Sequence, residues 1–125
     1  MTVRKEKGKI AITNYKTLKV FQNLNLPKIS FIECQLETGR THQIRVHMNF
    51  KGNPIVGDKS YGKSKKKFKK VDIKIENKIN NFNRQALHAK SLGFLHPKTK
   101  EEVFFEARRP EDFDTLIKSL KKASI

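Results

Sequence analysis

The chain has no tryptophan, one cysteine, two tyrosines and four prolines in 125 residues. A single cysteine, Cys34, closes no internal disulfide, which excludes the cysteine-stapled secreted folds. Neither a signal-type apolar segment nor a run of about 18 apolar residues occurs, so the expectation is a reduced, soluble, cytoplasmic protein with no membrane partner. Acidic residues are scarce as well: 12 Asp and Glu stand against 28 Lys and Arg, a formal charge of 28 − 12 = +16. A polyanion suits such a chain, and nucleic acid comes first. Only six of the basic residues are Arg (4, 40, 45, 84, 108 and 109). The abundance of Lys, Ile and Asn also fits the codon bias of an AT-rich genome, so the arginine positions carry more information than the lysine count.

Several chemistries are missing too. His42 and His47 are five apart, and no cysteine pair or HExxH occurs, which argues against zinc. No serine sits in a GxSxG context, and neither GxxxxGK[ST] nor GxGxxG is present. Cys34 lies inside the apolar pattern ISFIECQLE and reads as a small hydrophobe rather than a nucleophile. No metal and no cofactor is expected.

The length suits one domain, without repeats or an interdomain linker. Lys9–Phe21 alternates Ile10 and Ile12 against Ala11, Thr13 and Tyr15, as a strand does. LNLPK turns the chain at Pro27, and Ile29–Glu37 forms a second strand able to pair with the first as an antiparallel hairpin. Residues 63–83 hold six lysines between Lys63 and Lys70 and read as a basic surface insertion, either an RNA-contacting segment or a solvated loop of biased composition. Arg84–Pro97 and Glu101–Ala107 read as a second hairpin about a PKTK turn. Phe113, Leu116, Ile117 and Leu120 fall at i, i+3, i+4 and i+7, with acids before them and lysines after. That is an amphipathic helix opening at Pro110 and covering a sheet.

Leu36–Gly62, LETGRTHQIRVHMNFKGNPIVGDKSYG, stands out. It gathers two Arg, two His, a Gln and two Thr among four glycines. RTHQIRVHMNF fits either a strand, through Ile44, Val46, Met48 and Phe50, or a helix capped by Thr41 and ended by Gly52. Arg45, between Ile44 and Val46, belongs to a half-buried element. Its guanidinium needs an anion: Asp58, or a phosphate or carboxylate from elsewhere. Tyr61 can be a half-buried ring with a tied hydroxyl. His88 and His96 fit structural hydrogen bonds.

TGRTHQIRVH (38–47), GxPIVGDxxYG (52–62), RQALHAxxLxFxHP (84–97) and PEDF (110–113) follow one another in this order. Together they resemble the C-terminal half of the RluA-type pseudouridine synthase family, over about residues 9 to 122. The resemblance implies an α+β fold, a mixed, largely antiparallel sheet with flanking helices, with residues 1–125 as a single partial domain lacking its N-terminal half. It implies that His42–Asn49 is helical. It also implies an isomerase that detaches uracil from its ribose, rotates it and rejoins it through C5 without cofactor or metal, the uridine being flipped into a basic cleft. In that family an aspartate acts, a tyrosine stacks on the uracil, and a basic residue holds the aspartate ionised. By its motif Arg45 is the catalytic basic residue, with its carboxylate expected from outside the quoted stretch. Arg40, Thr41, His42, Gln43, Tyr61, Arg84, His88, Lys65, Lys66 and Lys67 are the RNA-binding candidates. Ribosomal RNA is the first candidate partner and transfer RNA the second, with a separate N-terminal half as a candidate protein partner. The HRLDxxTSG-like motif of the nucleophile and the KxYxAxxxG motif of the stacking tyrosine are absent: the only aspartates are Asp58, Asp72, Asp112 and Asp114. Two other readings stand beside the enzyme portion. One is a non-catalytic basic RNA-binding module. The other is a gene remnant whose uncovered sheet edge invites aggregation.

Overall fold

The computed structural model describes residues 2–4, 10–23, 26–61 and 73–124. Among them five strands and three helices follow in the order β1 (Thr2–Arg4), β2 (Ile10–Asn23), β3 (Leu26–Leu36), α1 (Gln43–Phe50), α2 (Ile73–Asn80), β4 (Ser91–Leu95), β5 (Glu102–Glu106) and α3 (Glu111–Ala123). The α+β expectation holds. All described strand pairs are antiparallel, and they form two sheets: β1-β2-β3, with β2 central, and the β4-β5 hairpin.

Both expected hairpins are present, but the first strand of the second runs only over Ser91–Leu95, and residues 84–90, expected to extend it, are not strand. In the first, β3 begins at Leu26, so Pro27 lies inside the strand rather than in the turn. Thr17 pairs with Ile32 and Lys19 with Phe31, which leaves Leu18 in a bulge. Of the two faces of β2, the one with small residues is buried: Ala11 and Thr13 are fully covered while Ile10 is exposed. α1 rests on β2 there and needs that room. In the second hairpin Leu92 faces Phe105 and Phe94 faces Val103, and the rings of Phe94 and Phe105 stack at 6.0 Å. Leu92, Phe94, Leu95, Phe104 and Phe105 are all exposed.

The core lies under α3. Phe113, Leu116, Ile117 and Leu120 are buried together with Phe21, Ile79 and Phe82. Each such side chain contributes on the order of 2 kcal/mol when covered. Glu111, Asp112 and Asp114 occupy the first turn of α3 and Lys121 and Lys122 the last, matching the helix dipole. The expected insertion at 63–83 differs in its second half. Residues 62–72, with the lysine run, lie outside the described residues, but Ile73–Asn80 is helical. Ile75, Ile79 and Phe82 share a helical spacing, and Ile79 and Phe82 enter the core. That stretch is part of the fold.

Candidate active-site wall

Helix α1 carries the polar cluster, and a buried hydrogen-bond network sets its position. Gln43 Nε2 donates to the carbonyl of Ile12 (2.9 Å) and to Thr13 Oγ1 (2.8 Å). Its Oε1 accepts from Thr38 Oγ1 (2.6 Å) and from the Arg40 backbone N–H (3.0 Å). All four hydrogen-bonding positions of the amide are therefore filled, as burial requires. Thr13 Oγ1 also lies 2.7 Å from Nδ1 of the buried His47. Gln43 was expected among the RNA contacts; only 3% exposed, it instead ties α1 to β2. Thr13 and Thr38 were missed by sequence reasoning. The one signal for Thr13 was a polar residue on the small-residue face of β2.

Two residues along, Arg45 meets Asp58. Nε donates to Oδ2 and Nη2 to Oδ1, both at 2.9 Å, with side-chain exposures of 12% and 1%. The loop delivers Asp58 by a turn in which the Asp58 N–H donates to the Ile55 carbonyl and Gly57 takes φ +81°. A Cβ at Gly57 would meet the Arg84 carbonyl oxygen, so glycine is required both for conformation and for space. Asp58 Oδ1 further accepts from the Ser60 and Tyr61 N–H groups, each at 3.2 Å. The Arg45 hydrogen bonds, more than the backbone donors, hold the Asp58 carboxyl below its usual range against the opposing effect of burial. The hydrogen bond to Asp58 likewise raises Arg45. Of the two partners open to Arg45, Asp58 is the one found among the described residues.

Arg45 still has a free edge. Its Nη1 has no partner among the described residues, and no buried side-chain nitrogen or oxygen there lacks one, so Nη1 faces the surface. The ring of Tyr61 covers the guanidinium, 5.0 Å from Cζ to centroid. The Tyr61 hydroxyl is tied to His42 Nδ1 at 3.0 Å.

The remaining candidates separate. Arg40, Thr41 and His42 are exposed beside this wall. Thr41 does not cap α1: the N-cap position is His42, in the left-handed region. Arg84, expected to contact RNA, is spent inside the chain, bidentate to Asp112 (3.0 and 2.9 Å) and bonded to the Gln85 and Leu87 carbonyls. The Arg84 hydrogen bonds hold the Asp112 carboxyl below its usual range. His88 bonds the Ala107 carbonyl through Nε2 at 2.9 Å, and His96 Nδ1 accepts from the N–H groups of Lys98 and Thr99, both structural roles. Lys65, Lys66 and Lys67, also expected among the RNA contacts, lie outside the described residues. Cys34 is half-buried, and burial, with help from Glu33, pushes its thiol up, away from the thiolate a nucleophile needs. Among the described residues no three His, Cys, Asp or Glu gather as metal ligands, and no helix is long and apolar enough to cross a membrane.

An arginine held at one edge, covered on one face and open at the other edge invites comparison with known proteins. A family model described as RNA pseudouridylate synthase matches residues 1–50. The chain is 49% identical over 122 residues to the uncharacterized RNA pseudouridine synthase YlyB of Bacillus subtilis. By sequence, the chain is similar to RNA pseudouridine synthases over nearly all of its length. The YlyB match takes in 98% of this chain and 34% of that protein. Ribosomal large subunit pseudouridine synthase D of Zymomonas mobilis is 44% identical over 114 residues, 91% of this chain and 33% of the relative. The protein of the same name from Xanthomonas campestris is 42% identical over 124 residues, 99% and 36%. The chain spans about a third of the length of the curated relatives it matches.

Proposed function

We propose that this chain is the portion of an RNA pseudouridine synthase that supplies the basic wall of the active site, and that its substrate is ribosomal RNA in the cytoplasm. The observation that carries the proposal is the half-used guanidinium of Arg45. Its pairing with Asp58 is neutral overall, so Arg45 does not present a bare charge. It presents an N–H donor, Nη1, in a fixed direction at the surface. An aspartate carried by sequence outside these 125 residues receives that hydrogen bond, which favours its ionised, attacking form and sets its orientation. The excess of positive charge, to which Lys65, Lys66 and Lys67 contribute, draws the RNA backbone in, and the uridine reaches the aspartate flipped out of its stack. The C1′–N1 bond breaks, the uracil rotates, and a C1′–C5 bond forms as the C5 proton leaves to a base and N1 takes one up, an isomerisation that consumes no oxidant or reductant. The exposed apolar side chains of β4 and β5 offer the remaining sequence a surface to cover.

The test is to supply in trans a segment carrying the HRLD-type motif and to measure pseudouridine in ribosomal RNA. Restored modification, abolished by Arg45→Ala with RNA affinity nearly unchanged, is the expected result. No modification, with both parts folded, refutes it.

The absence of the nucleophile motif and the net charge favour a second reading, a non-catalytic RNA-binding module. Because Arg45 and Arg84 are engaged internally, phosphates would then meet Arg40 and the lysines. Affinity would fall steeply with salt, and Arg40→Ala would weaken it like the loss of any phosphate contact, with no modification to be restored in trans.

A further inference from the structure

His42 adopts φ 52° and ψ 28°, a left-handed conformation that a non-glycine residue takes at a cost. It makes no side-chain cap to its own helix. Its ring turns outward to Tyr61, with Nδ1 3.0 Å from the hydroxyl and the two rings edge to face at 5.8 Å and 78°. Tyr61 in turn lays its ring on Arg45 and gives its backbone N–H to Asp58. His42 is exposed, so this arrangement adds little to the core. A glycine or asparagine would hold the same backbone with less strain, and strained residues of this kind gather where geometry is being imposed.

We propose that His42 and Tyr61 are positioning residues for Arg45. His42 fixes the Tyr61 hydroxyl; the fixed ring then acts as a cover that holds the guanidinium plane and aims Nη1. The proposal rests on the active-site reading above, but its physical core, control of Arg45 by His42 through Tyr61, can be measured without it. Tyr61→Phe keeps the ring and loses the tie. His42→Gly relieves the backbone strain and loses the same tie. Tyr61→Leu removes the aromatic cover.

The first measurement is the NMR resonance of Arg45 Nε–H in the 125-residue chain. In the parent it is expected to be shifted by the tyrosine ring and slow to exchange, since Nε donates to Asp58 under the ring. His42→Gly and Tyr61→Phe are expected to change it in the same direction, with no further change in the double variant, because both remove one bond. Tyr61→Leu should abolish the ring shift. A resonance unmoved by His42→Gly overturns the proposal whether or not the chain belongs to an active enzyme. The second measurement is pseudouridine formation by the chain with the aspartate-bearing segment supplied. Tyr61→Leu is expected to lower kcat by about 10- to 100-fold with KM for RNA within about twofold, since misaiming a held group acts on the reacting geometry. Tyr61→Phe should recover part of that loss. A raised KM at unchanged kcat would make Tyr61 an ordinary RNA contact and overturn the positioning role. Inactivity of the unsubstituted pair, with the NMR coupling intact, counts against the enzymatic reading alone.

Discussion

Gly57→Ala is expected to be among the most damaging single-methyl changes in this chain. Gly57 sits at φ +81° in the turn that delivers Asp58 to Arg45. Holding alanine in the left-handed region costs about 1–2 kcal/mol. Its Cβ would also overlap the Arg84 carbonyl group and stand 3.0 Å from Phe82 Cδ1, in the core. Moving the Arg84 backbone strains the neighbouring bond from the Ala86 N–H to the Val56 carbonyl, now 2.7 Å and worth about 1 kcal/mol. Crowding Phe82 adds about 1–3 kcal/mol. The sum, about 3–6 kcal/mol, is a large part of the roughly 5–15 kcal/mol that holds a domain folded. Urea unfolding of parent and variant measures it, and a melting point lower by about 10–20 °C should accompany it. Gly39→Ala is the control, since a Cβ there meets nothing within 4 Å. A Gly57→Ala chain within about 1 kcal/mol of the parent would refute the claim that this turn is sterically locked against residue 84.

Three further outcomes follow from the same geometry. Gln43→Leu removes a side chain whose four hydrogen bonds tie α1 to β2 and to the loop before it, leaves the Arg40 N–H and the Thr38 hydroxyl without that acceptor, and should cost about 2–4 kcal/mol in urea unfolding. Asp58 has a folded pKa below its unfolded value, so its stabilisation is present above the ordinary carboxylate pKa and is lost as pH falls through the depressed one. The parent's melting point should therefore drop below about pH 4, and Asp58→Asn should flatten that drop; an equal drop in both would show that Asp58 does not carry the acid sensitivity. Cys34, with its thiol pushed up by burial, should alkylate more slowly at neutral pH than a free thiol such as glutathione, as followed by mass spectrometry.

Where burial had a regular period, the fold was legible in the sequence. Phe113, Leu116, Ile117 and Leu120 repeat at helical spacing, and all four are buried on α3. The second hairpin was legible from strand-forming residues about a turn rather than from burial: Val103 and Phe105 pair with Phe94 and Leu92, although Phe104 and Phe105, on opposite faces, are both exposed. The second half of the supposed insertion was hidden because lysines and asparagines surround Ile75, Ile79 and Phe82. Their spacing was helical, but the composition resembled a loop. The motif stretch was legible as a site and much less so as a division of labour. Gln43 and Arg84 have the residue types of RNA contacts, yet both make their bonds inside the chain. A polar residue's partner depends on tertiary placement, which no local pattern records. Asp58 was a candidate partner for Arg45 from its type alone; the turn at Gly57 is what brings the two together.

The most direct test of the account is pseudouridine formation in large-subunit ribosomal RNA by this chain together with a folded segment bearing the HRLD-type aspartate motif, comparing Arg45 with Arg45→Ala. Pseudouridine with the parent and none with Arg45→Ala, at RNA affinities within about twofold, is the predicted result. Equal modification by both, or none by either when both parts are folded and RNA-bound, would contradict the assignment of Arg45 to the active-site wall.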